Sequence, residues 1–249
     1  MRKGDVLYMG NEINISGANI IYEIPIFGGI KITETQVNSL LVILLVFIIC
    51  KVLTAGLKVK PTSKRQIVAE FLVEKARGLV KGNMGEKHIN FTPFIMALLT
   101  ISTLSSLLSL LGLYPPTADL NTILGWSITV FVLLTREKLK GGIGGYLKGY
   151  LEPFALFAPL NIISEIATPI SMAFRHFGNV VSGVVISTLL FWALGNLSAS
   201  LSAGLTAFPF MQIGIPAVFS LYFDIFSGGL QAFIFSTLTM MNIALVNED

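Results

Sequence analysis

From residue 149 to residue 249 the only lysine or arginine is Arg175, and it lies inside "SMAFRHFGNVVSGVV", residues 171–185. The flanking residues suit the middle of a membrane helix. Arginine stays protonated at any relevant pH. Placing it mid-bilayer costs roughly 3 kcal/mol on insertion scales. Whatever the chain folds into must therefore put something opposite Arg175.

The rest of the sequence sets the solvent. Hydrophobic residues make up 53% of the chain and charged residues 12%, against about 25% charged in soluble domains. Mean hydropathy is +0.77. These values point to a polytopic membrane protein. No linker, repeat or low-complexity tract divides it, so residues 1–249 are expected to form a single membrane domain. Cys50 is the only cysteine, which excludes an intrachain disulfide; in its apolar run it reads as a small hydrophobe. The start "MRKGDVLYMGNEINISG" lacks an apolar core behind its basic residues, so it does not read as a cleavable signal peptide.

Apolar runs and basic segments alternate. Membrane helices are expected at 35–57, 91–113, 120–134, 159–193 and 208–246. Residues 58–90 carry Lys58, Lys60, Lys64, Arg65, Lys75, Arg77, Lys81 and Lys87, and residues 136–148 carry Arg136, Lys138, Lys140 and Lys148. By the positive-inside rule both segments face the cytoplasm. That reading puts residues 1–34 and the "YPPTADLN" turn outside and the C-terminus inside. Ile67, Val68, Phe71, Leu72, Leu79 and Val80 fall near helical spacing, which suggests an amphipathic helix on the membrane surface. Tyr146, Leu147, Tyr150, Leu151 and Phe154 suggest a second one. The expected fold is an all-α integral membrane protein of about five transmembrane helices plus these interfacial helices.

The last two spans form a hairpin of unusual length. At 1.5 Å per residue each arm exceeds about 50 Å, against a hydrocarbon core of about 30 Å. Such arms must tilt steeply, bend or break, with Pro169 and Pro216 as the places for bends. A steeply inclined pair suggests helices laid along a curved partner.

Helical spacing puts Thr168, Ser171, Gly178, Asn179 and Ser182 on the face of Arg175, and small residues permit close approach of another helix. The last span carries its own stripe of Asp224, Gly228, Gln231, Phe235 and Asn242. Counted from the shared turn, Gln231 is level with Arg175, and Asp224 lies about 10 Å closer to the outer surface. Glu165 lies about 15 Å to the other side of Arg175. The chain thus offers Arg175 no acid at its own depth, which points to a carboxylate from another subunit. A structural arginine bonded to backbone carbonyls or a lipid headgroup is the alternative.

"PISMAFRHFGNVVSG" resembles the arginine helix of subunit a of the F-type ATP synthase membrane sector, through Pro169, Ser171, Arg175, Phe177, Gly178, Asn179 and Gly183. "GGLQAFIFSTLTMMNIALVNED" is similar to that family's last helix, with Gln231 at its glutamine, and "YPPTADLNT" to its P-T-A-D-x-N turn. The three stretches occur in family order, and the likeness runs from about residue 90 to the end.

The resemblance implies a stator subunit beside a rotating ring of c subunits, each with a mid-membrane carboxylate. Ions enter and leave through offset half-channels, and Arg175 stands between them. It also implies peripheral-stalk b subunits as partners, H⁺ or Na⁺ as the ion, and a bacterial plasma membrane as the location. It implies no catalysis by this chain, no cofactor and no nucleic acid. Two departures stand out. Val184 occupies a position that is often ionisable, nine residues after the arginine, so Asp224 is left as the acid of the outer half-channel. His176 stands where leucine is common, and an ion-path role for it is open beside a packing role. Asn179 reads either as orienting Arg175 or as helix packing. Glu165 reads either as lining the exit or as capping a helix start. Asp119 reads as a cap of the third span, and His88 as a solvated loop residue. "GGIGG" lacks the strand–helix context of a phosphate loop. Besides the stator reading, a self-contained ion-coupled transporter and a structural membrane anchor are the competing functions.

Overall fold

In a computed structural model the described residues are 17–25, 29–59, 63–151, 154–201 and 211–246. Residues 1–16, 26–28, 60–62, 152–153, 202–210 and 247–249 lie outside them, and with them most of the N-terminal stretch read for targeting and the start of the last expected span. The chain opens with a two-stranded antiparallel ribbon, β1 (Ile20–Ile24) and β2 (Ile30–Thr33). The sequence pattern had not indicated it. The remainder is helical: α1 (Glu34–Thr54), α2 (Lys64–Met84), α3 (Thr92–Leu107), α4 (Leu120–Lys140), α5 (Ile143–Leu151), α6 (Ala158–Leu201), α7 (Met211–Ser220) and α8 (Gly228–Leu245). Short 3-10 segments flank α3, and a π-helical stretch, Leu221–Ser227, joins α7 to α8.

Among the described residues, four helical stretches are long and apolar enough to cross a membrane: Glu34–Thr54, Glu86–Leu111, Ala155–Ser198 and Gly214–Leu245. Helix α4, the expected third span, is not among them. It continues past Leu134 to Lys140, and its last two turns carry Arg136, Glu137, Lys138 and Lys140. The molecule is a multi-pass, all-α membrane protein apart from the short ribbon.

Local chemistry explains the helix ends. Thr33 caps α1, and its backbone N–H donates to Gln36 Oε1 at 3.2 Å, a capping box. Ser63 Oγ accepts from the Gln66 N–H and starts α2, and Gly85 ends it at φ +79°, a conformation that suits glycine. Asp119 accepts from the Asn121 N–H at 2.9 Å, the expected cap of α4.

Helices in lipid associate through packing and interhelical hydrogen bonds rather than a water-driven effect. One packed cluster joins Val80, Met84, Ile95, Leu134, Met240 and Ile243; another joins Val130, Met172 and Phe235. Asn38 Nδ2 donates to the Tyr114 carbonyl at 2.9 Å and fastens α1, most of whose other side chains face outward, Cys50 included. On α2, Ile67, Val68, Phe71 and Leu72 are exposed as the amphipathic reading requires. Val80 belongs to the opposite, fully buried side, because α3 and α8 cover the end of that helix. His88 departs from expectation too. It is buried, with Nδ1 2.7 Å from the Met84 carbonyl, because the 3-10 turn after Gly85 folds it back onto α2.

The first arm of the hairpin runs past the expected end at residue 193, to Leu201. Helix α6 alone spans 44 residues without interruption at Pro169. Ser127 Oγ donates to the Pro169 carbonyl and fastens α4 to that point. In the second arm the irregularity falls at Leu221–Ser227 rather than at Pro216, which sits within α7. A π-turn inserts one residue into the helical ladder and changes the facing of everything on one side of it.

Candidate functional site

Helix α6 has two unlike faces around its arginine. Met172, Ala173 and His176 are buried against α4 and α8, whereas Ser171, Phe174, Arg175, Gly178, Asn179 and Ser182 are exposed. His176 is fully buried. Its Nε2 lies 3.4 Å from Ser102 Oγ, and its ring meets Trp126 and Phe235 edge-on at centroid distances of 6.3 and 5.4 Å. Consecutive residues on a helix point about 100° apart. Locking His176 inward therefore holds Arg175 outward.

Arg175 enters no ion pair among the described residues; the pairs found are Glu23–Lys31, Lys81–Glu86, Lys138–Glu165 and Glu137–Lys140. One turn on, Asn179 Nδ2 donates to Gln231 Oε1 at 2.7 Å. Gln231 is 2% exposed, so the contact joins an outward residue of α6 to the interior of α8.

Asp224 lies in the π-helical stretch and is half-buried. It faces the hydroxyls of Ser109 and Ser220. With Ser106, Ser109, Gly183, Val184 and Gly228 it lines a small cavity. Asp224 and Val184 are thus brought together. The backbones here approach closely: a Cβ on Gly228 would stand 2.9 Å from Ser106 Cβ, and one on Gly183 would stand 3.3 Å from the Phe223 ring.

A larger cavity of about 530 Å³ lies at the other end of the arginine helix, lined by Lys138, Tyr146, Tyr150, Glu165, Thr168 and Asn242 among others. The Glu165 side chain is 7% exposed and pairs with Lys138 Nζ at 2.9 Å. The Tyr146 hydroxyl donates to Glu165 Oε1 at 3.3 Å, and the Tyr150 hydroxyl donates to Oε2. Burial, then the hydrogen bonds to Glu165 and Tyr146, pushes the Tyr150 phenol above its ordinary pKa.

Of the six residues singled out in the sequence, Asn179 and Gln231 are hydrogen-bonded, and Arg175 lies one turn before Asn179 on the same exposed face. Asp224 and Glu165 occupy separate cavities. His176 faces inward, about 100° around α6 from the outward Arg175. Sequence reasoning missed Lys138, Tyr146 and Tyr150 as partners of Glu165. The two tyrosines had been noticed only as part of an amphipathic face. It also missed the serines of α3. Ser102, Ser105 and Ser106 recur at helical spacing, which is the signal that a polar stripe inside an apolar span offers.

The sequence profile of the ATP synthase A chain family matches residues 36–244. ATP synthase subunit a of Desulforamulus reducens is 33% identical over 216 residues, which cover 85% of this chain and 78% of that protein. The Propionigenium modestum protein named ATP synthase subunit a, sodium ion specific, is 30% identical over 232 residues, 86% of this chain and 74% of its own. Subunit a of Limosilactobacillus reuteri is 30% identical over 232 residues, 88% and 94% of the two chains. With the match running from the first membrane helix to the last, the chain belongs to the ATP synthase A chain family, the subunit a family of the ion-translocating membrane sector.

Proposed function

We propose that this subunit carries ions past a ring of c subunits through two half-channels, with Arg175 as the cation that meets each ring carboxylate. One observation carries the reading: Arg175 is exposed, on a face of small and polar residues, and has no carboxylate partner among the described residues. A permanent cation held outward on a membrane helix needs a counter-charge from outside the chain. The arginine would attract an ionised ring carboxylate, favour loss of its ion, and block a direct leak between the two sides.

The cavities supply the half-channels. Val184 beside Asp224 is nine residues beyond Arg175 along α6, and Glu165 is ten residues before it. Each is therefore about 14–15 Å away along the helix, in opposite directions. The Asp224 cavity serves entry from outside, and the Glu165 cavity serves exit beside the basic segments, which the positive-inside rule puts in the cytoplasm. The Asn179–Gln231 bond ties the face that carries Arg175 to α8. His176 acts through packing, not on the ion path. The driving force is about 2.3 kcal/mol per charge per 100 mV. The choice between H⁺ and Na⁺ belongs to the ring. The ring, peripheral-stalk b subunits and lipid are the partners, and ATP chemistry resides in a separate soluble sector.

ATP-driven ion uptake into inverted membrane vesicles tests this with Arg175→Ala at matched complex assembly. Loss of pumping with ATP hydrolysis retained is the expected result. Unchanged pumping would make Arg175 structural and end the reading.

A further inference from the structure

Glu165 is served by three donors to which the exit path above gives no role. Lys138 comes from α4, and Tyr146 and Tyr150 come from α5. The carboxylate side chain is 7% exposed and the lysine side chain 31%, so the ammonium is the more open member of the pair. Burying a carboxylate is costly unless charged or hydrogen-bonding partners surround it, and these three donors do so. A mobile ion arriving on Glu165 makes two cations for one carboxylate, and its departure leaves one. The flexible four-carbon stem of lysine lets its ammonium step aside and return. Lys138 Nζ also sits 5.9 Å from the centre of the Tyr146 ring, a face that can hold the ammonium while it is detached. Gly141, Gly145 and Gly149 line the same cavity and leave it about 530 Å³ of room.

We propose that Lys138 is a positioning residue for ion exit: its ammonium is a tethered cation that takes Glu165 each time the mobile ion leaves, so that the carboxylate sheds its ion into the cavity instead of retaining it. The proposal rests on the reading of Glu165 as the exit acid. Charge balances at each exchange, since one cation leaves the carboxylate for water as another replaces it. Tyr146 and Tyr150, packed edge to face at 5.1 Å, hold the carboxylate in the orientation that both cations use. Lys138 touches neither Arg175 nor the ring in this scheme. Its effect passes entirely through Glu165.

The test uses the complete ATP synthase in liposomes, with ATP-driven membrane potential read by a dye and scaled to assembled complex. Lys138→Met is expected to slow pumping about tenfold, as a mispositioned group does, and Lys138→Arg to stay within about twofold of wild type because it keeps the charge. Combined with Glu165→Gln, Lys138→Met should add no further loss, since its target is gone. Wild-type pumping by Lys138→Met, equal losses in the Met and Arg variants, or losses that multiply with Glu165→Gln would each overturn the proposal. Lys138→Gln replaces the Met variant, under the same criteria, if the latter does not assemble. Arg175→Ala runs alongside. If it still pumps, the stator reading itself fails; if it does not pump while Lys138→Met behaves as wild type, only the role of Lys138 fails.

Discussion

Asn179 and Gln231 are joined by a 2.7 Å hydrogen bond between helices 52 residues apart in the chain. The acceptor is buried and the donor stands one turn from Arg175 on the open face. Such bonds within membrane bundles average about 0.6 kcal/mol and reach about 1.7 kcal/mol. Asn179→Ala and Gln231→Ala, singly and together, should show a coupling in that range in the stability of the detergent-solubilised complex. A coupling of zero would mean that the two amides do not meet in the assembled membrane sector.

His176 is the inner anchor of the arginine helix. Leucine there keeps the apolar contacts with Trp126 and Phe235 and gives up one hydrogen bond with Ser102. His176→Leu should therefore assemble normally and pump within about twofold of wild type, since a neutral hydrogen bond is worth only about 1 kcal/mol. His176→Lys puts a cation into the fully buried site and should remove the subunit from the membrane sector. Immunoblots of assembled complex, with pumping per complex, measure both.

Gly228 allows α8 to touch α3 beside Asp224. A methyl there meets Ser106 Cβ at 2.9 Å, so Gly228→Ala should destabilise by about 1–3 kcal/mol through overpacking. Removing the opposing atom with Ser106→Gly should recover part of the loss. Thermal inactivation of the single and double variants is the measurement. No recovery would place the strain elsewhere.

Tyr150 carries a pH signature. Its phenol pKa in the folded protein is raised by burial and by Glu165, whereas in the unfolded chain it ionises near about pH 10. Its contribution to stability is complete below that pH and is lost as pH rises from there toward the folded value. Thermal unfolding between about pH 9 and 11 should therefore fall less steeply with pH in Tyr150→Phe than in wild type. Parallel curves would show that the phenol is not enclosed.

The helices were legible because apolar runs of spanning length and basic segments alternate so sharply, and Arg175 because no other cation occurs after Lys148. Gln231 could be matched in depth with Arg175 by counting from the shared turn, which brought it near Asn179, one turn along the same face. The contacts of Glu165 could not. Lys138 lies 27 residues away on a helix that reads as ending at Leu134, and periodicity put the tyrosines on an amphipathic face without saying which helix that face would meet. The π-stretch left no mark either. Neither Pro216 nor any glycine coincides with Leu221–Ser227, and an inserted residue changes facing without changing composition. Val80 and His88 were misread for different reasons: α3 and α8, distant in sequence, cover Val80, whereas a local 3-10 turn after Gly85 folds His88 back onto Met84.

The 44 residues of α6 measure about 66 Å. Kept within a slab about 30 Å thick, such a rod leans roughly 60° from the membrane normal. Each residue then advances about 1.3 Å sideways and only about 0.7 Å in depth. Glu165 and Val184, 19 positions apart, would then be displaced by roughly 25 Å in the membrane plane but only about 13 Å across it. A helix so inclined is a ramp, and under the proposed function its slope would supply the sideways stagger that a passing ring needs in order to turn.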